Sequence, residues 1–246
     1  MQLEGKTALV TGGGTGIGRA ISLMLAREGV NIVVNYSRSE AEAADTVREI
    51  ERAGSRGMLC RADVSNLGDV RAMVASALDR FGRIDVLVNN AGYTRYVDLH
   101  DLDGMEESYW DRTFNVNVKG MFFVSRACAA ELVRNRGCIL NITSIAGFNG
   151  TGSSIAYAAS KAAGISLTKS FSRVLAPHVR VNSVAPGIVD TRWVDGREEH
   201  IQKHSDGTPL GRIATPEDVA QMSLALIRYG DFVTGQTIVV DGGWSL

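Results

Sequence analysis

The sequence predicts an α/β protein in a single domain, with a doubly wound, mostly parallel sheet of seven strands and helices on both faces. Three observations point there. Six short apolar runs alternate with longer helical segments, each run ends in small or turn-forming residues, and no repeat or linker-like stretch divides the 246 residues. A seventh apolar run near the C-terminus would extend the sheet. With 45% hydrophobic and 22% charged residues, the chain can bury a full core without disulfide or metal.

The formal net charge is -1 and the charges are interspersed, which excludes the footprint of a nucleic-acid or anionic-membrane binder. No window holds the roughly 18 uninterrupted apolar residues of a membrane span, and Met1–Lys6 has no signal-peptide pattern, so a soluble cytoplasmic protein is expected. Cys60, Cys128 and Cys138 are odd in number and lie in apolar stretches, as small core residues of a reducing compartment do.

Thr7–Val10 is a buried strand ending in Thr11-Gly-Gly-Gly-Thr-Gly-Ile-Gly18, and Arg19–Ala26 has helical periodicity. Strand, glycine turn and helix in that order open a nucleotide-binding unit. Glycines let the backbone approach a pyrophosphate, and the helix directs its free N–H groups at the charge. The candidate contacts are Gly12, Thr15, Gly16, Ile17 and Gly18. Arg19 and Ala20 stand where a P-loop needs Lys and then Ser or Thr, which argues against an NTPase.

Val30–Asn35 is the second strand, and its end is where an adenosine ribose would lie. An acid there would repel a 2′-phosphate, whereas Tyr36-Ser37-Arg38-Ser39 carries none before Glu40. NADP(H) is therefore expected in preference to NAD(H), with Arg38 and the serine hydroxyls on the 2′-phosphate. Thr15 supplies no second cation from the glycine turn.

Glu40–Ala53 is an alternating-charge outer helix, Gly57–Ala62 a third strand closed by Asp63-Val64, and Asn66–Phe81 a third helix. Ile84–Val88 is a fourth strand entering Asn89-Asn90-Ala91-Gly92. Those small residues permit close ligand approach at the carboxyl edge, or else the two asparagines satisfy neighbouring loops. Tyr93–Asp103 reads as a loop. A long fourth helix, about Met105–Asn135, is interrupted at Asn115-Val-Asn117-Val-Lys-Gly120. Either it kinks there with backbone groups freed, or one helix ends and another begins.

Cys138–Ile142 is the fifth strand and delivers Thr143-Ser144 to the same edge. A fifth helix, running to about Ala176, carries Tyr157 and Lys161 four residues apart, on one face. A phenol titrating near 10 is a poor acid or base at neutral pH, and a neighbouring cation lowers that value. Val179–Val184, closed by Pro186-Gly187, is the sixth strand. Asp190–Thr208 is polar, aromatic-bearing and weakly patterned, as expected of a flap. His200 and His204 have metal-ligand spacing but lack the Glu that follows the first His in a metalloprotease, and no metal site is expected. Thr215-Pro-Glu-Asp218 is an N-cap with Pro at the first helical position, its helix reaching about Tyr229, and Gly235–Val240 is the last strand.

Thr11–Gly18, Asp63-Val64, Asn89–Gly92, Asn117–Gly120, Thr143-Ser144, Tyr157-Ala-Ala-Ser-Lys161, Asn182–Gly187 and Thr191 together resemble, in order and distance, the motifs of the short-chain dehydrogenase/reductase family. The resemblance covers essentially the whole chain and is nearest in pattern to the 3-oxoacyl reductase-like members. It implies a Rossmann-type fold and NAD(P)-dependent interconversion of a ketone and a secondary alcohol. By that resemblance Tyr157 is the acid/base, Lys161 depresses its pKa and holds the nicotinamide ribose, Ser144 polarises the carbonyl, and Asn117 keeps a relay water. Asp63 and Val64 would contact the adenine, and Asn90, Ala91 and Gly92 the cofactor from their loop. Pro186 and Gly187 would lie beside it, and Val189 with Thr191 would clasp the carboxamide.

The resemblance further implies a homotetramer built on the fourth and fifth helices and the C-terminal segment. 3-Oxoacyl thioesters are the leading substrate class, with sugar, polyol or hydroxysteroid substrates as alternatives. Enoyl reduction is disfavoured, because that branch uses a wider Tyr to Lys spacing. A catalytically silent NADP(H)-binding sensor would be expected to lose Tyr157, Lys161 or Ser144. Tyr93, Tyr96, Phe148, Trp193 and His200 are candidate pocket residues, and Arg95, Arg192 and Arg197 are arginines available to a substrate carboxylate.

Overall fold

Residues 1–246 are described by a computed structural model, in which all seven strands join one sheet. The chain runs β1 (Thr7–Val10), α1 (Gly16–Arg27), β2 (Asn31–Tyr36), α2 (Glu40–Arg52), β3 (Gly57–Arg61), α3 (Leu67–Phe81) and β4 (Val86–Asn89). It continues through α4 (Glu107–Phe114), a π-helical segment (Asn115–Gly120), α5 (Met121–Asn135) and β5 (Cys138–Ile142). A short α6 (Ala146–Asn149) and a long α7 (Ile155–Leu175) precede β6 (Arg180–Pro186). Finally α8 (Glu198–Gly207) and α9 (Pro216–Tyr229) lead to β7 (Thr237–Val240).

The strand order is β3-β2-β1-β4-β5-β6-β7, and every pairing is parallel, so the sheet is all-parallel rather than mostly so. Alternation along the strands explains why it must be covered twice. Leu9, Val33, Leu87, Ile139 and Val181 join α3, α5 and α7 in one core cluster. Their neighbours Val10, Val34, Val88, Leu140 and Val184 join α1, α2 and α9 in the other. Each fully buried aliphatic side chain stabilises by about 1.5–3 kcal/mol, so neither face could be left bare.

β1 and β4 are adjacent, yet the chain leaves β1 toward β2 and returns to β4 on the other side. That reversal opens a crevice at the carboxyl ends of the two strands, where open α/β sheets bind ligands. At the opposite end, the fully buried Asp85 accepts from the Thr7 N–H at 3.0 Å and from Arg83 at 2.8 and 2.6 Å. This fixes the start of β1 against β4.

Two segments differ from expectation. The long fourth helix does not end at Asn115–Gly120 but widens into a π turn and continues. Gly120 is needed there, since a Cβ would lie 2.7 Å from Val64 Cγ2. The flap is not wholly irregular: α8 forms within it, with no fully buried residue, from a polar stretch whose apolar periodicity is too weak to read. Thr215 and Asp218 form the reciprocal capping box that starts α9. No helix is long and apolar enough to cross a membrane.

Candidate active site

A cavity of about 1450 Å³ runs along the carboxyl edge of the sheet. It is lined by every cofactor and catalytic candidate named from the sequence except Gly18 and Asn117. Those two act from behind the wall.

The glycine turn divides its work. Gly12 and Gly16 take left-handed φ values of 61° and 50°. Gly18 is instead a packing glycine, because a Cβ there would lie 2.2 Å from the Gly12 carbonyl oxygen. Likewise Gly14 abuts α2, with a Cβ placed 2.6 Å from Ala43 Cα. Thr15, the N-cap of α1, makes no side-chain cap bond, so the first N–H groups of α1 stay available to an anion. This donor set and the left-handed cradle fit a dinucleotide pyrophosphate.

Three polar side chains hold the turn: Thr11 and Asn90, which lie in the sequence motifs, and Asn35, which does not. Asn90 Nδ2 donates to the Thr11 and Gly12 carbonyls at 3.0 and 3.1 Å, so its side chain braces the turn. Thr11 Oγ1 accepts from the N–H groups of Asn90 and Ala91 at 2.9 and 3.0 Å. Asn35 Oδ1 accepts from Gly12 N at 3.2 Å, while its amide donates to the Ala62 carbonyl at 3.1 Å. A lone asparagine inside the apolar strand Ile32-Val-Val-Asn-Tyr36 was the signal for the last.

At the adenosine end, Ser37 and Arg38 are exposed and line the cavity beside the largely buried Tyr36. Burial alone would raise the Asp63 carboxyl, but hydrogen bonds from Ser65 and the Arg112 guanidinium at 3.2 Å outweigh it and hold the group below its ordinary value. Asp63 therefore presents a carboxylate. Val64 is buried behind it against Gly120.

At the other end, Ser144 follows β5 and Tyr157 rises from the first turn of α7. That helix starts where it does because Ser154 accepts from the Tyr157 N–H at 3.2 Å. Lys161 is buried, donates to the Ile142 carbonyl at 2.9 Å, and holds its Nζ 5.4 Å from the centre of the Tyr157 ring. Ser144 Oγ accepts from Ala146 N at 3.2 Å and sits 3.5 Å from the Pro186 carbonyl.

The electrostatics correct one expectation. The net shift of Tyr157 is upward, opposite to expectation: burial pushes the phenol up to about 12, and the neighbouring Ser144 hydroxyl opposes this only in part. Burial also lowers the Lys161 ammonium to about 8. Desolvation of the charged form dominates both groups. At neutral pH the phenol holds its proton and the lysine is largely charged, so this end of the cavity presents donors to an oxygen.

Asn117 lies in the π segment, buried, with its amide committed to protein partners. It donates to the Tyr93 carbonyl and to Ser160 Oγ, both at 2.9 Å, and accepts from Tyr93 N at 2.8 Å. Ser160 in turn donates to the Tyr157 carbonyl at 2.7 Å. Asn117 thus couples the loop after β4 to the catalytic helix.

The flap closes over the phenol. Trp193 meets the Tyr157 ring edge-on at 6.1 Å, and Tyr96 donates from its hydroxyl to the Trp193 carbonyl at 2.9 Å. Tyr93, Tyr96, Trp193 and His200 line the cavity as expected, whereas Phe148 is 56% exposed and does not. His200, His204 and Trp244 stack in series at 4.3 Å spacings, which brings the C-terminal segment into the wall. Of the three candidate arginines, Arg192 and Arg197 line the cavity and Arg95 does not. Arg95 lies over the Tyr109 ring, Arg197 over Tyr96, and Arg192 reaches Ser39.

Known proteins share this architecture. Residues 12–245 match a family model described as enoyl-(acyl carrier protein) reductase. A Thermotoga maritima 3-oxoacyl-(acyl-carrier-protein) reductase is 38% identical over 99% of both chains. A Streptomyces violaceoruber chain described as a granaticin polyketide synthase ketoacyl reductase is 39% identical over 98% of this chain and 96% of that one. A solved structure from Burkholderia xenovorans, described as a short-chain dehydrogenase/reductase, superposes with a TM-score of 0.92 at 34% identity over 97% of each chain. With its glycine turn, its Ser144, Tyr157 and Lys161 set, and relatives alike from end to end, this chain belongs to the short-chain dehydrogenase/reductase family, as an NAD(P)-dependent oxidoreductase acting on CH–OH groups.

Proposed function

We propose that the protein is an NADP(H)-dependent ketoreductase whose substrates are 3-oxoacyl thioesters or closely related carbonyl compounds. The observation that carries this reading is the placement of the Tyr157 phenol beside Ser144 and Lys161 at one end of a cavity whose other end offers Ser37 and Arg38, with no acid in the loop directly after β2. The bound nicotinamide would supply a hydride to the carbonyl carbon. Tyr157 gives its proton to the carbonyl oxygen, completing a secondary alcohol. Ser144 donates a hydrogen bond to the developing alkoxide, and the Lys161 ammonium stabilises the phenolate left behind.

The family-model description raises enoyl reduction, but the four-residue step from Tyr157 to Lys161 and the ketoacyl reductases among the relatives favour a carbonyl. Three free cysteines, two of them buried, fit a reducing cytoplasmic compartment. The test offers purified protein NADPH or NADH with an acetoacetyl thioester, a ketose, a steroid ketone and a crotonyl thioester, following nicotinamide absorbance. The highest kcat/KM belongs to the acetoacetyl thioester with NADPH. A clear preference for the ketose or steroid would overturn the substrate class, and turnover of the crotonyl thioester alone would overturn the chemistry.

A further inference from the structure

We propose that Arg192, carried on the flap, is the second cation of the 2′-phosphate site, so that the segment covering the substrate also selects the cofactor. The inference rests on the NADP(H) reading and goes beyond it in assigning a residue outside the end of β2. The glycine turn offers no basic side chain, since Thr15 stands before Gly16. In the loop after β2, Arg38 is the one basic side chain set against the roughly two negative charges that a phosphate monoester carries at neutral pH.

Arg192 lies 153 residues from Ser39 in sequence, yet its Nη1 donates to Ser39 Oγ at 2.9 Å. Ser39 is the N-cap residue of α2 but makes no side-chain cap bond, so its hydroxyl is committed to the flap rather than to its own helix. The link crosses the cavity mouth from Thr191, which abuts Gly16, to the Ser37-Arg38-Ser39 loop where the ribose end is expected. The guanidinium is half exposed, with the Glu42 carboxylate at 4.0 Å as its nearest counter-charge. That separation is too long for a committed bidentate pair, so the fork keeps donors for a phosphate. Once bound, the phosphate would bridge Arg38 on the core and Arg192 on the flap.

Equilibrium calorimetry on the full-length protein decides this, using NADPH, NADH and adenosine 2′,5′-bisphosphate as probes. Arg192→Ala should weaken NADPH and the bisphosphate by about tenfold or more, the usual cost of one charge-assisted contact, and change NADH by less than about twofold. Arg192→Lys should restore part of the loss. Equal weakening of NADPH and NADH would overturn the proposal and place Arg192 on the shared pyrophosphate or in a purely structural latch. No change with either would overturn it too, while leaving the NADP(H) reading intact if wild type still favours NADPH. A wild type that binds NADH as tightly as NADPH would overturn that reading and this proposal together.

Discussion

Lys161 is a buried cation with one hydrogen bond from its ammonium, to the Ile142 carbonyl, and it is the clearest case here of function placed at the expense of stability. Its pKa falls from the ordinary 10.5 to about 8, so between those values the unfolded chain binds the extra proton and stability rises with pH. Tyr157 acts in the opposite sense: the folded state keeps its proton up to about 12, and stability is lost as pH climbs from 10 toward that value. Replacing Lys161 by Met removes the cost of burying the charge and should therefore stabilise the protein at pH 7, with the advantage shrinking toward pH 10. Thermal melts of both proteins across that range check the sign; a variant less stable at pH 7 would contradict it. In wild type, kcat/KM for ketone reduction should be level below pH 8 and fall about tenfold per unit above it, as Lys161 discharges. A profile flat to pH 10 would remove Lys161 from the chemistry. The four-residue spacing made the pair visible in the sequence. The direction of the phenol shift was not visible, because it depends on burial under Trp193 and beside Ser144, and tertiary packing alone sets that.

Among the elements, the glycine turn was recognisable by its spacing, but its division of labour was not. A glycine that turns the chain and one that lets two backbone segments touch look the same in sequence. Gly18→Ala would drive a Cβ into the Gly12 carbonyl and the Asn90 amide, at 2.2 and 2.4 Å. Such overpacking typically costs about 1–3 kcal/mol. The expected outcome is a lowered melting temperature together with weakened binding of both NADPH and NADH, read by melting and calorimetry. Wild-type values in both would show that Gly18 is not holding the turn. Asn115–Gly120 was legible as an anomaly, since asparagine and glycine disfavour helix interiors, but the remedy was not. A π turn keeps the helix continuous while committing Asn117 to Tyr93 and Ser160, and π-bulges are frequent at functional sites. The α8 helix escaped notice because it buries no residue and so has no apolar stripe to read.

At the level of the whole molecule, the fold was legible because seven apolar runs separated by helical segments admit few arrangements other than a parallel sheet covered twice. The order of strands follows the reversal beside β1, and the cavity forms where that reversal must leave a crevice. Quaternary structure is less accessible from one chain. Phe122 and Val133 on α5, Val174 on α7 and the fully exposed Phe232 and Leu246 leave apolar side chains in solvent. Burying them between copies is the expected resolution, and light scattering should give a mass four times the 26.4 kDa chain. A monomer mass at micromolar concentration would contradict it. If Tyr157 delivers the proton in an NADPH-dependent reduction, the turnover of Tyr157→Phe against wild type with an acetoacetyl thioester shows it. The expected kcat is lower by about 10²–10⁴, with the calorimetric affinity for NADPH unchanged. A variant turning over at near wild-type rate would contradict it.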